Sequence, residues 1–164
     1  MNFEGAWLTR GTPPTHTAGM DIEDLKARYL NLEFDRKDFT IRAEDAATVA
    51  RLSGETRPDL IDPEHPDFSV TPAYLASLAS GRHLPIDFPK LGGLPVDGGK
   101  AVRCLATVRP HEKLTGRTHL HDIYDKSGRS GRMIFLVSRM ELFNEQEQKL
   151  AMSDARMILR EKSS

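Results

Sequence analysis

The last third of the chain contains four apolar runs separated by short polar turns, and this pattern constrains the fold more than any other feature. The runs occupy residues 101–109, 114–124, 133–143 and 149–159. The connections between them are too short for a crossover helix, so consecutive runs can pair only as antiparallel strands. The segment 125–131 is rich in glycine and polar residues, which is typical of a hairpin loop. The sequence therefore predicts an antiparallel meander.

A helix with matched start and stop signals comes before these strands. Thr71 can cap it, Pro72 suits its first position, and Gly81 suits the position just past its end. The segment between them is rich in Ala and Leu, so we expect the helix to be buried. We predict an α+β fold in which the antiparallel sheet wraps this central helix.

The N-terminal half supplies shorter elements. Residues 1–20 contain several glycines and prolines and have little periodicity. We expect an arm that is either disordered or held to a neighbour through Phe3 and Trp7. The elements that follow are a helix over residues 21–29, an extended segment over 32–41, a helix over 44–52, a proline-rich loop over 55–68 and a second loop over 84–99.

Composition and charge exclude several classes of function. The chain has 164 residues, which suits one domain, and its formal net charge of −1 favours neither nucleic acid nor an anionic membrane. No apolar stretch has the length of a membrane span, and the N-terminus lacks the apolar core of a secretory signal. The one cysteine, Cys104, lies in an apolar run, which predicts a buried thiol and is compatible with a reducing compartment. We expect a cytoplasmic protein.

Four short segments, in the order of the predicted elements, carry recognisable patterns. Residues 53–62, Ser-Gly-Glu-Thr-Arg-Pro-Asp-Leu-Ile-Asp, are similar to a segment written G-D-x-N-P-x-H-x-D. Residues 70–78 fall where a central helix opens, 108–114 are similar to a turn written R-P-x-x-x-G-D-x-L, and 122–131 are similar to a hairpin. Together these segments resemble the MaoC-like family of hot-dog hydratases and dehydratases. The particular likeness is to the N-terminal, non-catalytic half of its double-hot-dog members.

This resemblance implies both a fold and a chemistry. It implies one hot-dog domain over residues 21–161, between the arm and a short tail at 162–164. The implied reaction is hydration of a trans-2-enoyl thioester, or the reverse dehydration of a 3-hydroxyacyl thioester, on CoA or an acyl carrier protein, without cofactor or metal. In catalytic members an Asp and a His five residues apart orient the water and exchange its proton. A backbone N–H at the start of the central helix stabilises the thioester oxyanion.

The chain departs from this catalytic pattern at its central positions. The family's Asp falls on Glu55, its Asn on Arg57, its His on Leu60, and its helix-start Gly on Pro72. Leu60 cannot transfer a proton, and Pro72 has no N–H to donate. Glu55 can still supply a carboxylate, or it is only a polar loop residue. The pattern fits a pseudo-active half whose partner carries the Asp and the His.

The remaining candidate residues each have two interpretations. His65 is an alternative base if its loop folds back, or an exposed loop histidine. Arg57 meets a thioester phosphate or pairs with a nearby aspartate. Thr71 and Tyr74, at the helix start, are candidates for substrate binding. Arg129 belongs to a basic hairpin tip that contacts the CoA 3′-phosphate or an acidic carrier protein, or that is simply solvated.

His119 and His121 alternate with Leu120 on a predicted strand, so both should point to one face. A His-x-His pair is half of a metal site, but no cysteine or carboxylate cluster stands at ligand spacing nearby. We expect these histidines to face solvent or an interface rather than a metal.

Three functions, with a hot-dog thioesterase as a fourth, therefore stay open from the sequence. The first is a subunit of an enoyl-thioester hydratase paired with a catalytic hot-dog chain. The second is a self-sufficient homodimeric hydratase that uses Glu55 with His65. The third is a non-enzymatic module that binds acyl-CoA or scaffolds a partner. Each includes a second hot-dog chain, because a single hot-dog sheet exposes an edge that normally pairs.

Overall fold

The computed structural model describes residues 21–129 and 131–160 of the chain. The helices and strands of this part are α1 (Ile22–Tyr29), β1 (Glu33–Thr40), α2 (Ala43–Leu52), α3 (Pro58–Ile61), α4 (Pro72–Ser77), β2 (Leu94–Cys104), β3 (Lys113–Gly128), β4 (Gly131–Phe143) and β5 (Lys149–Arg160). The predicted arm at 1–20 and the tail at 162–164 lie outside the described residues.

The strands form one antiparallel sheet in the order β1-β3-β4-β5-β2. The predicted meander of four strands is confirmed for β3, β4 and β5, which are neighbours in sequence and in the sheet. Its first strand is placed wrongly, because β2 pairs with β5 and the N-terminal strand β1 takes the place beside β3. The connection between β3 and β4 is tighter than the expected loop over 125–131, since Gly128 already pairs with Gly131. The α+β fold class is confirmed.

Helices α1, α2 and α4 lie against one face of the sheet, which we call the inner face, and two cores form there. In the first, α2 and α4 pack on the sheet, and Ala47, Leu75 and Leu142 are fully buried. In the second, Ile22 and Leu25 of α1 pack on apolar side chains of β3, β4 and β5. Burying each large apolar side chain stabilises the fold by about 2 kcal/mol. The opposite face of the sheet is called the outer face.

The two N-terminal helices follow their sequence signals. Asp21 caps α1, and its Oδ1 accepts the N–H of Glu23 at 3.0 Å. Ala46 and Ala50 of α2 are buried, as their spacing indicates, and Gly54 follows the helix with a φ of +85°. These helices are confirmed because cap, periodicity and stop signal agree locally.

The central helix is shorter than its sequence suggests. Its start is confirmed, with Thr71 as the cap and Pro72 at the first position. It ends after Ser77 instead of before Gly81, because Leu78 turns to an extended conformation. Contacts with β1 hold the chain beyond that point, where Lys37 Nζ donates to Ala79 O at 3.0 Å. These tertiary contacts outweigh the helix propensity of the Ala- and Leu-rich sequence.

Strand β2 lies several residues earlier than the predicted run over 101–109. It begins at Leu94, inside the expected loop over 84–99, and it ends at Cys104. The glycines at 98 and 99 do not end the strand, because an irregularity in the β2–β5 ladder between Asp97 and Lys100 accommodates them. Beyond Cys104 the chain leaves the sheet.

Two smaller expectations are also wrong. The proline-rich loop over 55–68 contains the short helix α3, because Pro58 occupies the first turn, where its missing N–H has no helical partner to lose. Cys104 is exposed rather than buried, because it ends a strand at the edge of the sheet. Among the residues that the structure describes, no helix combines the length and the apolar character needed to cross a bilayer.

Candidate functional site

A cleft at the start of α4 is the first candidate site, and we call it the helix-start cleft. It has a volume of about 360 Å³. Its walls are the first turn of α4 and the chain that follows β2, and Val70 N–H donates to Val108 O at 2.9 Å between them. The lining residues are Ser69, Val70, Pro72, Leu75, Cys104, Leu105, Ala106, Thr107 and Val108. None of them carries a carboxylate or an imidazole.

The first turn of α4 holds two of the predicted substrate-binding residues. Thr71 is 3% exposed, and its Oγ1 accepts the N–H of Tyr74 at 3.3 Å, so the hydroxyl serves as a helix cap. Tyr74 is buried in the first core, and burial raises the pKa of its phenol. Pro72 lines the cleft and offers no N–H to it. The first turn of α4 therefore stabilises the helix and shapes the cleft rather than donating hydrogen bonds to a ligand.

The segment that resembles the catalytic motif lies after α2. Glu55 is partly buried, and its N–H donates to Ala50 O at 3.0 Å. Arg57 forms two hydrogen bonds with Asp59, one of them from Nε to Oδ1 at 3.1 Å. This pairing holds the pKa of the Asp59 carboxyl below its usual value. Leu60 is partly buried in α3. Of the two interpretations of Arg57, the geometry shows the ion pair.

His65 is held by its own loop. The ring atom Nδ1 of His65 accepts the backbone N–H of Asp67 at 3.1 Å, and the backbone N–H of His65 donates to Asp62 O at 3.0 Å. Within residues 21–129 and 131–160, no hydrogen bond joins Glu55 to His65 or to any other histidine. Within the described residues, Glu55 therefore has no imidazole partner of the kind that acid–base hydration uses.

A second cavity lies on the inner face, near the point where α4 ends early, and we call it the inner-face cavity. It has a volume of about 300 Å³. Ser138 Oγ donates to His83 O at 2.6 Å at its wall. The lining residues are His83, Pro95, Val96, Asp97, Lys100, Ser138, Ala155, Arg156 and Met157. Sequence reasoning missed this cavity because its lining residues come from segments that are far apart in the sequence.

Both cavities border β2, whose outer edge has no strand partner in the described part of the chain. Three large apolar side chains on or just after this strand are exposed: Leu94 at 64%, Val96 at 43% and Leu105 at 49%. Free backbone groups beside apolar side chains make this edge suited to pairing with another strand. A second chain that paired here would lie next to both cavities.

The predicted histidine pair lies on the outer face. The rings of His119 and His121 are 6.0 Å apart and edge to face. Burial lowers the pKa of His119, and the Glu141 carboxylate opposes this shift. In the described residues, no group of three or more potential metal ligands is present.

The hairpin tip between β3 and β4 holds Arg129, which is exposed. Lys126 lies over the stacked rings of Tyr124 and Phe135, with Nζ 5.7 Å and 5.6 Å from the ring centres. Arg132 donates from Nε to Asp125 at 2.7 Å. The basic tip expected from the sequence is thus present, with part of its charge neutralised.

Comparison with known proteins identifies the fold. No protein-family model matches the sequence, and neither does any curated protein. The structure is similar to a C-terminally truncated HadBC (3R-hydroxyacyl-ACP dehydratase) complex from Mycobacterium tuberculosis, with 16% identity, a TM-score of 0.56, and coverage of 74% of this chain and 90% of that one. It is similar to the ChsH1–ChsH2 complex from the same organism, with 17% identity, a TM-score of 0.60, and coverage of 87% and 90%.

A third similar structure is a MaoC-like dehydratase from Phytophthora capsici, with 19% identity and a TM-score of 0.61. The match covers 84% of this chain and 50% of that one, so this chain spans about half of its length. At these identities the likeness establishes the fold, which is the hot-dog fold.

Proposed function

We propose that this chain is one half of an (R)-type enoyl-thioester hydratase or 3-hydroxyacyl-thioester dehydratase, and that it shapes the substrate site for a catalytic hot-dog partner. Two of the similar structures are described as complexes, and one of these is a 3R-hydroxyacyl-ACP dehydratase. The MaoC-like motifs at residues 53–62 and 70–78 support the same chemistry.

One observation supports the proposal that this chain shapes the substrate site while its partner supplies the acid–base pair. The helix-start cleft has the position expected of a thioester site, but no carboxylate or imidazole lines it. Addition of water needs a base within hydrogen-bond reach, and the enolate-like transition state needs a positioned donor. Leu60 and Pro72 supply neither group. The acid–base pair therefore comes from a second chain, and the free edge of β2 beside the cleft is where that chain docks.

The inner-face cavity suits the acyl chain of the substrate. Ala155 and Met157 contribute apolar surface to it. Glu55, His65, Thr71 and Tyr74 then support the loop and the helix rather than the chemistry. Arg129 remains exposed for the phosphates of CoA or for an acidic carrier protein.

The test is hydration of crotonyl-CoA, followed by loss of the enoyl-thioester absorbance. We expect no turnover by the pure chain, and turnover when it is mixed with a MaoC-like chain that has an intact Asp/His pair, such as the product of a neighbouring gene. Glu55→Ala and His65→Ala should leave the activity of the mixture within about twofold. Turnover by the pure chain that Glu55→Ala abolishes would instead establish the self-sufficient homodimer.

A non-enzymatic acyl-thioester-binding module is the second candidate, because a cleft without titratable carboxylates or imidazoles is equally suited to binding alone. Calorimetric titration with a non-hydratable acyl-CoA separates the two. Saturable binding without turnover in any mixture favours the module, whereas partner-dependent turnover favours the hydratase half.

A further inference from the structure

The outer face of the sheet is divided into two ends of different character. One end carries paired charges: Arg139 donates to Asp154 at 2.7 Å and 2.8 Å, and Lys149 donates to Glu141 at 2.6 Å. A surface of paired charges is favourable in contact with water. The end nearer the β3–β4 hairpin tip is different, because a row of apolar side chains crosses it.

This row runs across four strands in register. Val96 lies opposite Ile158, Ile158 lies opposite Phe135, and Phe135 lies opposite Tyr124. The next row adds Leu94 and Met133. We call these six residues the outer apolar patch.

The patch is separate from the two cores, although Val96 also borders the inner-face cavity. On β3, β4 and β5 the residues next to patch members are Ile123, Ile134 and Leu159, which are buried in the core that contains α1. Because successive side chains of a strand point to opposite faces, the patch members point away from α1. The rings of Tyr124 and Phe135 stack at 4.7 Å and shelter one another only in part. At the spacing of neighbouring strands, the row is roughly 14 Å long.

Cations surround the patch. Lys126, Arg129 and Arg160 are exposed, and none of them forms an ion pair with a described residue. The row beyond the patch holds Arg156 and Asp122 on either side of Val137, and these two charges offset each other. The border of the patch is therefore positively charged.

We propose that the outer apolar patch binds an acidic amphipathic helix of a partner protein. A sheet face offers no free backbone groups, because the ladders already use them, so its occupant must satisfy its own backbone, as a helix does. A helix of about ten residues matches the roughly 14 Å row. An acidic polar face next to the apolar stripe would meet the three cations.

A second copy of the chain is a poor occupant. A two-fold contact through this patch would bring Lys126 and Arg160 towards the same residues of the other copy, and like charges at an interface are repulsive. The inference shares Val96 with the inner-face cavity and Arg129 with the proposed CoA or carrier contact, but it uses no residue of the helix-start cleft. Its test measures peptide binding alone, so its failure would leave the proposed hydratase activity untouched.

The probe is a pair of synthetic 18-residue helical peptides with the same leucine stripe and either glutamate or lysine on the polar face. Fluorescence anisotropy with the full chain should show binding of the glutamate peptide that weakens as salt is added. The double variant Lys126→Glu/Arg160→Glu should weaken this binding at least about tenfold, and Leu94→Ser about threefold, in line with contacts at an interface border. Ile86→Ser is the matched control, because Ile86 is also exposed, at 83%, and lies outside the patch.

Four results would overturn the inference. They are failure of the glutamate peptide to bind, equal binding of both peptides, insensitivity to Lys126→Glu/Arg160→Glu and Leu94→Ser, and binding that appears only after removal of residues 1–20. The last result would make those residues the occupant. Self-association that Leu94→Ser abolishes, in the absence of peptide binding, would make a second copy the occupant and would also overturn it.

Discussion

Two buried threonines on the inner side of the fold have opposite roles. Thr71 is 3% exposed and its hydroxyl caps α4, whereas Thr118 is 1% exposed and its Oγ1 has no hydrogen-bond partner. A buried hydroxyl without a partner costs stability, and a capping hydroxyl adds to it.

We therefore expect valine to act with opposite sign at the two positions. Thr118→Val should raise the free energy of unfolding by about 1 kcal/mol, because it removes the unpaired hydroxyl and keeps the shape. Thr71→Val should lower it by about 1 kcal/mol, because it removes the cap. Urea unfolding of both variants beside the wild type measures the difference, and a shift of the same sign in both would contradict it.

His119 gives the fold a dependence on pH. Burial lowers its pKa in the folded state below the unfolded value of about 6.5, and the charged groups around it are Glu141, Arg139 and Lys149, with His121 beside it. Between the two pKa values the unfolded chain binds more protons, so the contribution is complete above the unfolded pKa and is lost as the pH falls through the folded one.

The free energy of unfolding should accordingly fall more steeply between pH 7.5 and about 5.5 for the wild type than for His119→Gln. Thermal or urea unfolding across this range measures the two slopes. His83→Gln is the matched substitution to measure beside it, because His83 is an exposed histidine on another segment. If the free energy of unfolding changes with pH in parallel for His119→Gln and the wild type, His119 does not cause the pH dependence.

At the scale of elements, the inner-face cavity lies between β2, β4 and β5 and is bordered by His83 of the segment that follows α4. Ala155 lines this cavity from β5, and Ala101 lies on the outer face of β2, opposite Asp154. A phenyl group at 155 should fill the cavity, whereas one at 101 should point to solvent.

If the cavity holds the acyl chain, Ala155→Phe should weaken binding of a C12 acyl-CoA at least about tenfold while a C4 acyl-CoA changes by less than about threefold. Ala101→Phe should leave both unchanged. Calorimetric titration with the two ligands gives the ratio, and equal losses for both chain lengths would place the acyl chain elsewhere.

Elements with agreeing local signals could be predicted from the sequence, and elements set by distant contacts could not. Asp21 and the apolar spacing after it suffice for α1, and the short polar turns suffice for the β3–β4–β5 meander. The end of α4 depends on β1, which holds Ala79 through Lys37, and no local pattern records that contact.

The same distinction between local signals and distant contacts applies to the candidate site. Leu60 and Pro72, at the positions where the resemblance expects a histidine and a glycine, could be read directly from the sequence. The inner-face cavity could not, because it is a space between segments that are far apart in sequence. The exposure of Cys104 was missed for a related reason, since an apolar run does not reveal whether its strand lies at an edge.

At the scale of the whole molecule, the edge of β2 that is free in the described residues is the proposed site of association. Leu105 follows this strand and is 49% exposed, while Leu52, at the end of α2, is 83% exposed and away from it. An edge flanked by exposed apolar side chains is expected to pair with another chain.

Leu105→Asp should weaken association with the hot-dog partner, or with a second copy, at least about tenfold, because a charge would be buried beside the paired edge. Leu52→Asp should leave association unchanged although it removes a more exposed leucine. Sedimentation velocity over a range of concentrations compares the two. Equal effects, or none, would mean that assembly uses another surface.

The pairing of β1 with β3 has a consequence for biosynthesis. Glu33 lies opposite His119, and Thr40 lies opposite Lys113, so roughly eighty residues must leave the ribosome after β1 before its neighbour exists. The meander can form quickly once it has been synthesised, because its strands are adjacent, whereas β1 must wait as an unmatched segment until β3 has emerged. Chaperone binding during translation should therefore concentrate on the N-terminal third of the nascent chain.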